Sequence, residues 1–180
     1  MSALAEHATV SIGFTVESVL DVAQVDDGLG GLQLTERRVE PYLKDYDTTD
    51  GEGPTRWAKR FDMSNWGLLA AHKDGRRVGG SVIAWNSPEL HMIKSPHQAA
   101  LWDLRVAPDA RGEGVGSRLF AAAEDWARER GCTRMSIETQ NVNVRACRFY
   151  AAMGCSLGEI DRFAYPDLPD EVMLNWSKDL

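Results

Sequence analysis

Residues 101–117 constrain this chain more than any other stretch, because a strand, a glycine-rich turn and a helix start follow one another there. Leu104 and Val106 alternate with Asp103 and Arg105. That period of two reads as a strand with the apolar pair on one side and the charges on the other. Pro108 ends it, since proline has no N–H to give a ladder. Arg111, Gly112, Gly114 and Gly116 follow, and an amphipathic helical pattern then runs from Val115 to about Arg130. Glycines allow close backbone approach, successive N–H groups converge, and the helix dipole adds partial positive charge. Arg111 adds a full charge. The natural guest of such a turn is a pyrophosphate.

Spacing narrows the choice of guest. A dinucleotide fingerprint needs Gly-x-Gly-x-x-Gly, and an NTPase phosphate loop needs Gly-Lys-Ser/Thr; Gly112, Gly114 and Gly116 fit neither. The row reads instead as Arg-x-x-Gly-x-Gly from Arg111 to Gly116, after Leu104, Val106 and Pro108. A second block lies about one helix further on, with Asn143, Ala146, Phe149, Tyr150 and Gly154 as Asn-x-x-Ala-x-x-Phe-Tyr-x-x-x-Gly. Together the two blocks resemble the acetyl-CoA-binding signatures of the GNAT superfamily of N-acetyltransferases, over roughly the C-terminal half. The resemblance implies an α/β (α+β) fold: a mixed, mostly antiparallel sheet with central splayed parallel strands, flanked by helices. It also implies one domain over residues 1–180, with an acceptor-side half at about 12–97 and an acetyl-CoA-binding, catalytic half at 98–180.

The same resemblance implies a site. Acetyl-CoA is the co-substrate and no metal is used. Arg111, Gly112, Glu113, Gly114, Val115, Gly116 and Ser117 would cradle its pyrophosphate. The main chain of Leu104, Arg105 and Val106 would pair with the pantetheine arm as an added strand and offer an N–H to the thioester oxygen. Asn143, Ala146 and Tyr150 match the second block; Asn143 also suits a helix cap. Tyr150 stands where the family's tyrosine protonates the departing thiolate. An alkyl ammonium titrates near ~10, so the amine also needs a proton acceptor. Asp103, two or three residues from the oxyanion donor along one strand, is the first candidate for it and Glu138 the second; the alternative for each is a structural carboxylate bonded to nearby backbone or Arg105. Cys155 stands where the family usually has Phe, a difference of packing. Cys147, with no adjacent His, reads as buried filler.

Composition excludes other classes. With 27 acidic against 20 basic residues and a net charge of −7, no basic face is available for nucleic acid. The same balance suits a small cationic amine as substrate. No apolar run reaches membrane-spanning length, no basic-then-apolar signal pattern opens the chain, and three cysteines follow no framework. These features lead to an expectation of a cytoplasmic protein without a membrane partner. A homodimer is compatible with the family.

Along the rest of the chain, residues 1–9 read as an unanchored terminus and 12–19 as a first strand. Residues 21–62 read as a polar, irregular region with weak helical patterning, where the family places one or two variable helices. The acidic run at 45–52 lies there, either a solvated loop or a rim that attracts substrate. Residues 66–72 and 77–85 read as a hairpin around Asp74 and Gly75, 86–97 as a loop, and 135–139 as a strand. A helix at 144–153 and two strands, at 156–165 and 171–176, complete the chain. On the helix from Val115, the apolar stripe reads as Val115, Leu119, Ala122, Ala123 and Trp126, with Gly131 as its stop.

The choice of acceptor rests on a narrower resemblance. The run at 137–150, with Glu138 and Asn141, and the stretch at 102–106 are similar to the streptothricin acetyltransferases, which acetylate an amine of an antibiotic. That implies antibiotic resistance, with Trp57, Trp66, Trp85 and Trp102 available as aromatic walls for a cation. A protein N-terminal or lysine acetyltransferase, or an acyl-CoA sensor without turnover, would carry the same C-terminal half.

Overall fold

The computed structural model describes residues 2–48 and 53–180. In chain order it contains α1 (Ala3–His7), β1 (Phe14–Gln24), β2 (Leu32–Lys44), α2 (Pro54–Arg60), β3 (Gly67–Lys73), β4 (Arg76–Trp85) and β5 (Gln98–Val106). Then come α3 (Val115–Arg128), β6 (Arg134–Gln140), α4 (Val144–Ala152), β7 (Ser156–Asp161) and β8 (Met173–Asp179). β1 and β2 pair antiparallel on their own, while the other six strands form one mixed sheet in the order β3-β4-β5-β6-β8-β7. The fold is therefore mixed α/β, a central sheet with flanking helices.

Local chemistry explains the central strands. Asp74 and Gly75 both take positive φ, 51° and 76°, the twist a two-residue hairpin between β3 and β4 requires. β4 pairs antiparallel with β5, but the register slips: Val82 faces Asp103 and Ile83 faces Leu101, leaving Trp102 as a bulge. β5 and β6 run parallel from Gln98 and Arg134 to Leu101 and Ile137. Among the described residues their pairing ends there, at the bulge, although β5 continues to Val106.

The chain divides into two compact units, Met1–Gly13 with Asp45–Ile137 and Ser177–Leu180, and Phe14–Lys44 with Glu138–Trp176. In the first, α3 buries Val115, Leu119, Phe120, Ala123 and Ala127. Each large apolar side chain buried this way contributes about 1.5–3 kcal/mol. Ala122 is exposed, so the buried stripe runs through Phe120 and Ala127 rather than Ala122. Gly131, at φ 73°, stops the helix with its N–H on Arg128 O at 2.9 Å. In the second unit, Val16, Val19 and Val142 form a small core with Phe14 and Val39 against it.

Two expectations are corrected. The N-terminus is anchored: α1 carries His7, which is fully buried. Among the described residues, the region 21–62 holds the end of β1, the long strand β2 and the short helix α2, with single 3-10 turns at Asp26–Gly28 and Tyr46–Thr48, rather than a wholly irregular stretch. β2 is exposed except for partial burial at Leu34, Val39 and Lys44, so pairing with β1 holds it rather than an apolar face. A register shift on β2 accommodates Pro41. Of the acidic run, residues 49–52 lie outside the described residues. Beyond Trp102, the two sides of β5 alternate as expected, and it is Asp103 and Arg105 that are buried while Leu104 and Val106 are only partly buried.

Two glycines in β4 make room for that burial. A Cβ on Gly79 would lie 2.9 Å from Arg105 O and 3.0 Å from Leu119 Cδ1; one on Gly80 would lie 2.6 Å from His7 Nδ1. Gly80→Ala is expected to cost about 1–3 kcal/mol in urea unfolding by displacing the His7 ring. Gly158→Ala, whose Cβ meets nothing closer than Asn175 O at 3.8 Å, should stay within about 0.5 kcal/mol of the parent. Equal effects from both would mean that the ring is free to shift.

Candidate active site

After β5, one 3-10 turn at Pro108–Ala110 leads to Gly112 and Gly114, at φ 84° and 77°. Both need the left-handed region that glycine enters without strain. Gly114 is the N-cap of α3 and supplies no side-chain acceptor, so the first N–H groups, from Val115 onward, are not satisfied by a cap. Gly116 and Ser117 continue this first turn, Ser117 exposed and Gly116 partly buried. Arg111 is committed to the turn: Nε donates to Val106 O at 3.0 Å and Nη2 to Gly13 O at 3.1 Å. It thus fixes the loop's shape through two carbonyls. The Glu113 carboxylate, of the wrong sign for an anion site, is held by Lys73 Nζ at 2.7 and 2.9 Å, and that hydrogen bonding, with its charge, raises the Lys73 pKa.

The buried charges of β5 form one network. Arg105 donates to both Asp103 oxygens, Nε to Oδ1 at 2.9 Å and Nη2 to Oδ2 at 2.7 Å. It also donates to both Asp47 oxygens, at 2.8 and 3.1 Å, and to Val10 O. His7 Nε2 lies 2.7 Å from Asp103 Oδ1, and its Nδ1 lies 3.0 Å from Arg77 Nη2. Arginine has only donors, so Nδ1 holds the lone pair and Nε2–H donates to Asp103. Burial alone would push the Asp103 pKa up, but the hydrogen bonds from Arg105 and His7 and the Arg105 charge outweigh it and hold the pKa below the usual range. Burial likewise opposes the Arg105 charge, and Asp103 and Asp47 reverse that, raising its pKa. Leu104 and Val106 pack on Val10, Val78, Ala107, Val115 and Leu119. On the β4 side the main chain from Leu104 to Val106 is paired; past Leu101 its other edge has no ladder partner among the described residues.

The second unit carries the other candidates. Asn143 caps α4, its Oδ1 accepting from Ala146 N at 3.1 Å. That turn sets the helix on which Tyr150, 8 % exposed, is buried beside Phe149. Cys147 is buried on the same helix, and burial pushes its thiol up to about 12, a poor nucleophile. Glu138 Oε1 accepts from Tyr165 Oη at 2.7 Å, and Tyr165 Oη accepts from Gln140 Nε2 at 2.9 Å. Asn141 ties Leu20 to Val172, accepting from Val172 N at 2.8 Å and donating to Leu20 O at 3.1 Å.

The structure therefore brings Asp103 and Arg105 together and gives Glu138 its own hydroxyl partner. It adds residues to which the sequence gave no site role: His7 on Asp103, Arg77 on His7, Asp47 on Arg105, and Tyr165 on Glu138. One signal for His7 was available. Adjacent glycines in the middle of an apolar strand, Gly79 and Gly80, mark a close approach. The tryptophans divide: Trp57 is buried, with Arg105 Cζ 6.0 Å from its ring centroid, while Trp66 and Trp102 pack with Phe61 at 5.1–5.6 Å.

Comparison with known proteins follows this geometry. The model of the acetyltransferase (GNAT) family matches residues 32–155. A streptothricin acetyltransferase from Escherichia coli is 32% identical over 96% of this chain and 89% of its own length. The crystal structure of a nourseothricin acetyltransferase superposes with a TM-score of 0.76 at 26% identity, covering 97% of this chain and 91% of that one. A protein of Bacillus anthracis strain Ames assigned as a streptothricin acetyltransferase, solved with acetyl coenzyme A, gives 0.75 at 27% identity over 95% and 89%.

Proposed function

The chain belongs to the acetyltransferase (GNAT) family, and on that premise we propose that it acetylates a primary amine of a small polycationic acceptor of the streptothricin kind. Family and fold make it an acetyl-CoA-dependent N-acetyltransferase. The observation that carries the cofactor reading is the uncapped start of α3 behind two left-handed glycines, a cradle shaped for a pyrophosphate. The open edge of β5 at Leu104–Val106 suits the pantetheine arm, and a main-chain N–H there would stabilise the thioester oxygen as charge develops.

Three proton transfers complete the reaction. The ammonium gives up a proton and the neutral amine attacks the carbonyl carbon; as the C–S bond breaks, the nitrogen loses its second proton to solvent and the thiolate takes one. We assign the thiolate's proton to Tyr150. We assign acceptance of the first to Glu138, directly or through water, because Tyr165 orients its carboxylate. Asp103, bound on both oxygens by Arg105 and on one by His7, instead holds β5 rigid. With Cys147 buried and protonated, transfer is direct, without an acyl-enzyme.

The test is thiol release from acetyl-CoA with a panel of amines. Streptothricin is expected to exceed aminoglycosides, polyamines, free lysine and N-terminal peptides by about tenfold or more in kcat/KM, a transition-state difference of about 1.4 kcal/mol. Such a protein would confer antibiotic resistance. Release with peptides alone would overturn the acceptor assignment in favour of protein acetylation. Binding of acetyl-CoA without turnover on any amine would overturn the enzymatic reading.

A further inference from the structure

Resting on the reading of β5 and the glycine turn as the acetyl-CoA site, we propose that residues 2–13 form a strap that positions this site through His7. Docking of the strap and binding of the cofactor then strengthen each other. Three contacts from this one segment reach both parts of the cradle. His7 Nε2–H donates to Asp103 Oδ1 on β5 at 2.7 Å. Val10 O accepts from Arg105 Nη1, also on β5, at 3.1 Å. Gly13 O accepts from Arg111 Nη2 in the glycine turn at 3.1 Å. Between these contacts the Val10 side chain, 3 % exposed, packs in one cluster with Ala107 and Ala110 before the turn and Val115 and Leu119 after it.

The cradle needs such anchors. Past Leu101, β5 is paired with β4 alone among the described residues, so half of the ladder that fixes an inner strand is missing along the edge assigned to the pantetheine arm. Asp103 and Arg105, the two buried side chains of that stretch, carry the fastening to the strap instead. The glycine turn has the same need, since Gly112 and Gly114 leave its main chain many conformations that a tethered Arg111 removes. His7 is the side chain on which the strap depends. It is fully buried, and its ring fills the space that a Cβ on Gly80 would take, 2.6 Å from Nδ1. It matches both neighbours, donating to Asp103 and accepting from Arg77 Nη2 at 3.0 Å. His7 is thus a positioning residue that acts through Asp103. A five-residue helix has little stability of its own, so docking is what keeps α1 folded. Docking and cofactor binding draw on one arrangement of β5 and the turn, and a coupling of that kind is reciprocal.

The experiment uses the full chain with coenzyme A as the probe, by amide hydrogen exchange and by calorimetric titration. The N–H groups of Ala8, Thr9 and Val10 bond Leu4 O, Glu6 O and His7 O. Saturating coenzyme A should slow their exchange about tenfold while the amides of β2 change by no more than about twofold. By the same coupling His7→Ala should weaken coenzyme A binding about tenfold, in protein shown to be folded by circular dichroism. His7→Gln keeps a donor for Asp103 and an acceptor for Arg77, and should restore binding to within about threefold of the parent. Should His7→Ala fail to fold, the exchange measurement on the parent decides. Coenzyme A that binds but leaves exchange at Ala8–Val10 unchanged, or slows β2 equally, overturns the strap and leaves the acetyl-CoA reading standing. Folded His7→Ala that binds as tightly as the parent does the same. A parent that binds no coenzyme A overturns both.

Discussion

Replacing Arg105 with Met is expected to lower stability by about 3–5 kcal/mol, read from the urea midpoint at neutral pH. The guanidinium is buried and donates to both oxygens of Asp103, itself only 7 % exposed. Removing it strands a carboxylate away from water with His7 as its remaining side-chain donor. The double variant Arg105→Met, Asp103→Leu should recover part of the loss, because an apolar pair replaces an ionic one. Asp47 can turn to water, but His7 Nε2–H then has no acceptor, which retains about 1–3 kcal/mol of the cost. The pH dependence separates charge from packing. The Asp103 pKa is depressed in the folded state, so its contribution is present above the unfolded value of about 4 and is lost as pH falls through the folded one. The gap between parent and Arg105→Met should therefore narrow on going from pH 7 towards pH 3. An equal gap at both would assign the effect of Arg105 to packing, including its contact with Trp57.

The contrast between what the chain announced and what it concealed has a physical basis. The glycine turn, α3 with its Gly131 stop, the Asp74–Gly75 hairpin and the Asn143 cap of α4 are all local: each depends on residues within a few positions of one another. Periodicity and turn chemistry report such features directly. His7 and Asp103 are far apart in sequence, and no local pattern joins them. β2 was hidden for another reason. Its segment from Thr35 to Glu40 is mostly charged and its burial is slight, so the strand exists through pairing with β1. On β5 the alternation separated the charges from Leu104 and Val106 without saying which side is buried, and mutual pairing lets Asp103 and Arg105 occupy the buried one. Among the site residues, the motifs named Tyr150 and Glu138 but not Tyr165, because a hydroxyl in a terminal loop carries no spacing rule.

Tyr150→Phe should lower kcat by about 10²–10⁴-fold while leaving the KM for acetyl-CoA within about threefold, since in the proposed mechanism its hydroxyl serves the departing thiolate. The substitution removes one oxygen from a buried ring on a helix whose start is fixed by Asn143 and whose end is fixed by Cys155 N on Tyr150 O at 3.0 Å. Packing is thus kept and the chemical role isolated. A uniform loss in kcat and cofactor affinity would make Tyr150 a packing residue. A further measurement discriminates between routes. If Cys147 carried the acetyl group, Cys147→Ala would abolish turnover and the parent would release free CoA in a burst before any amine is added. A thiol pushed up to about 12 has almost no thiolate at neutral pH, so that route lacks its nucleophile. In the proposed mechanism the amine therefore attacks the thioester itself, and the Tyr150 hydroxyl is the group proposed to protonate the thiolate when the C–S bond breaks.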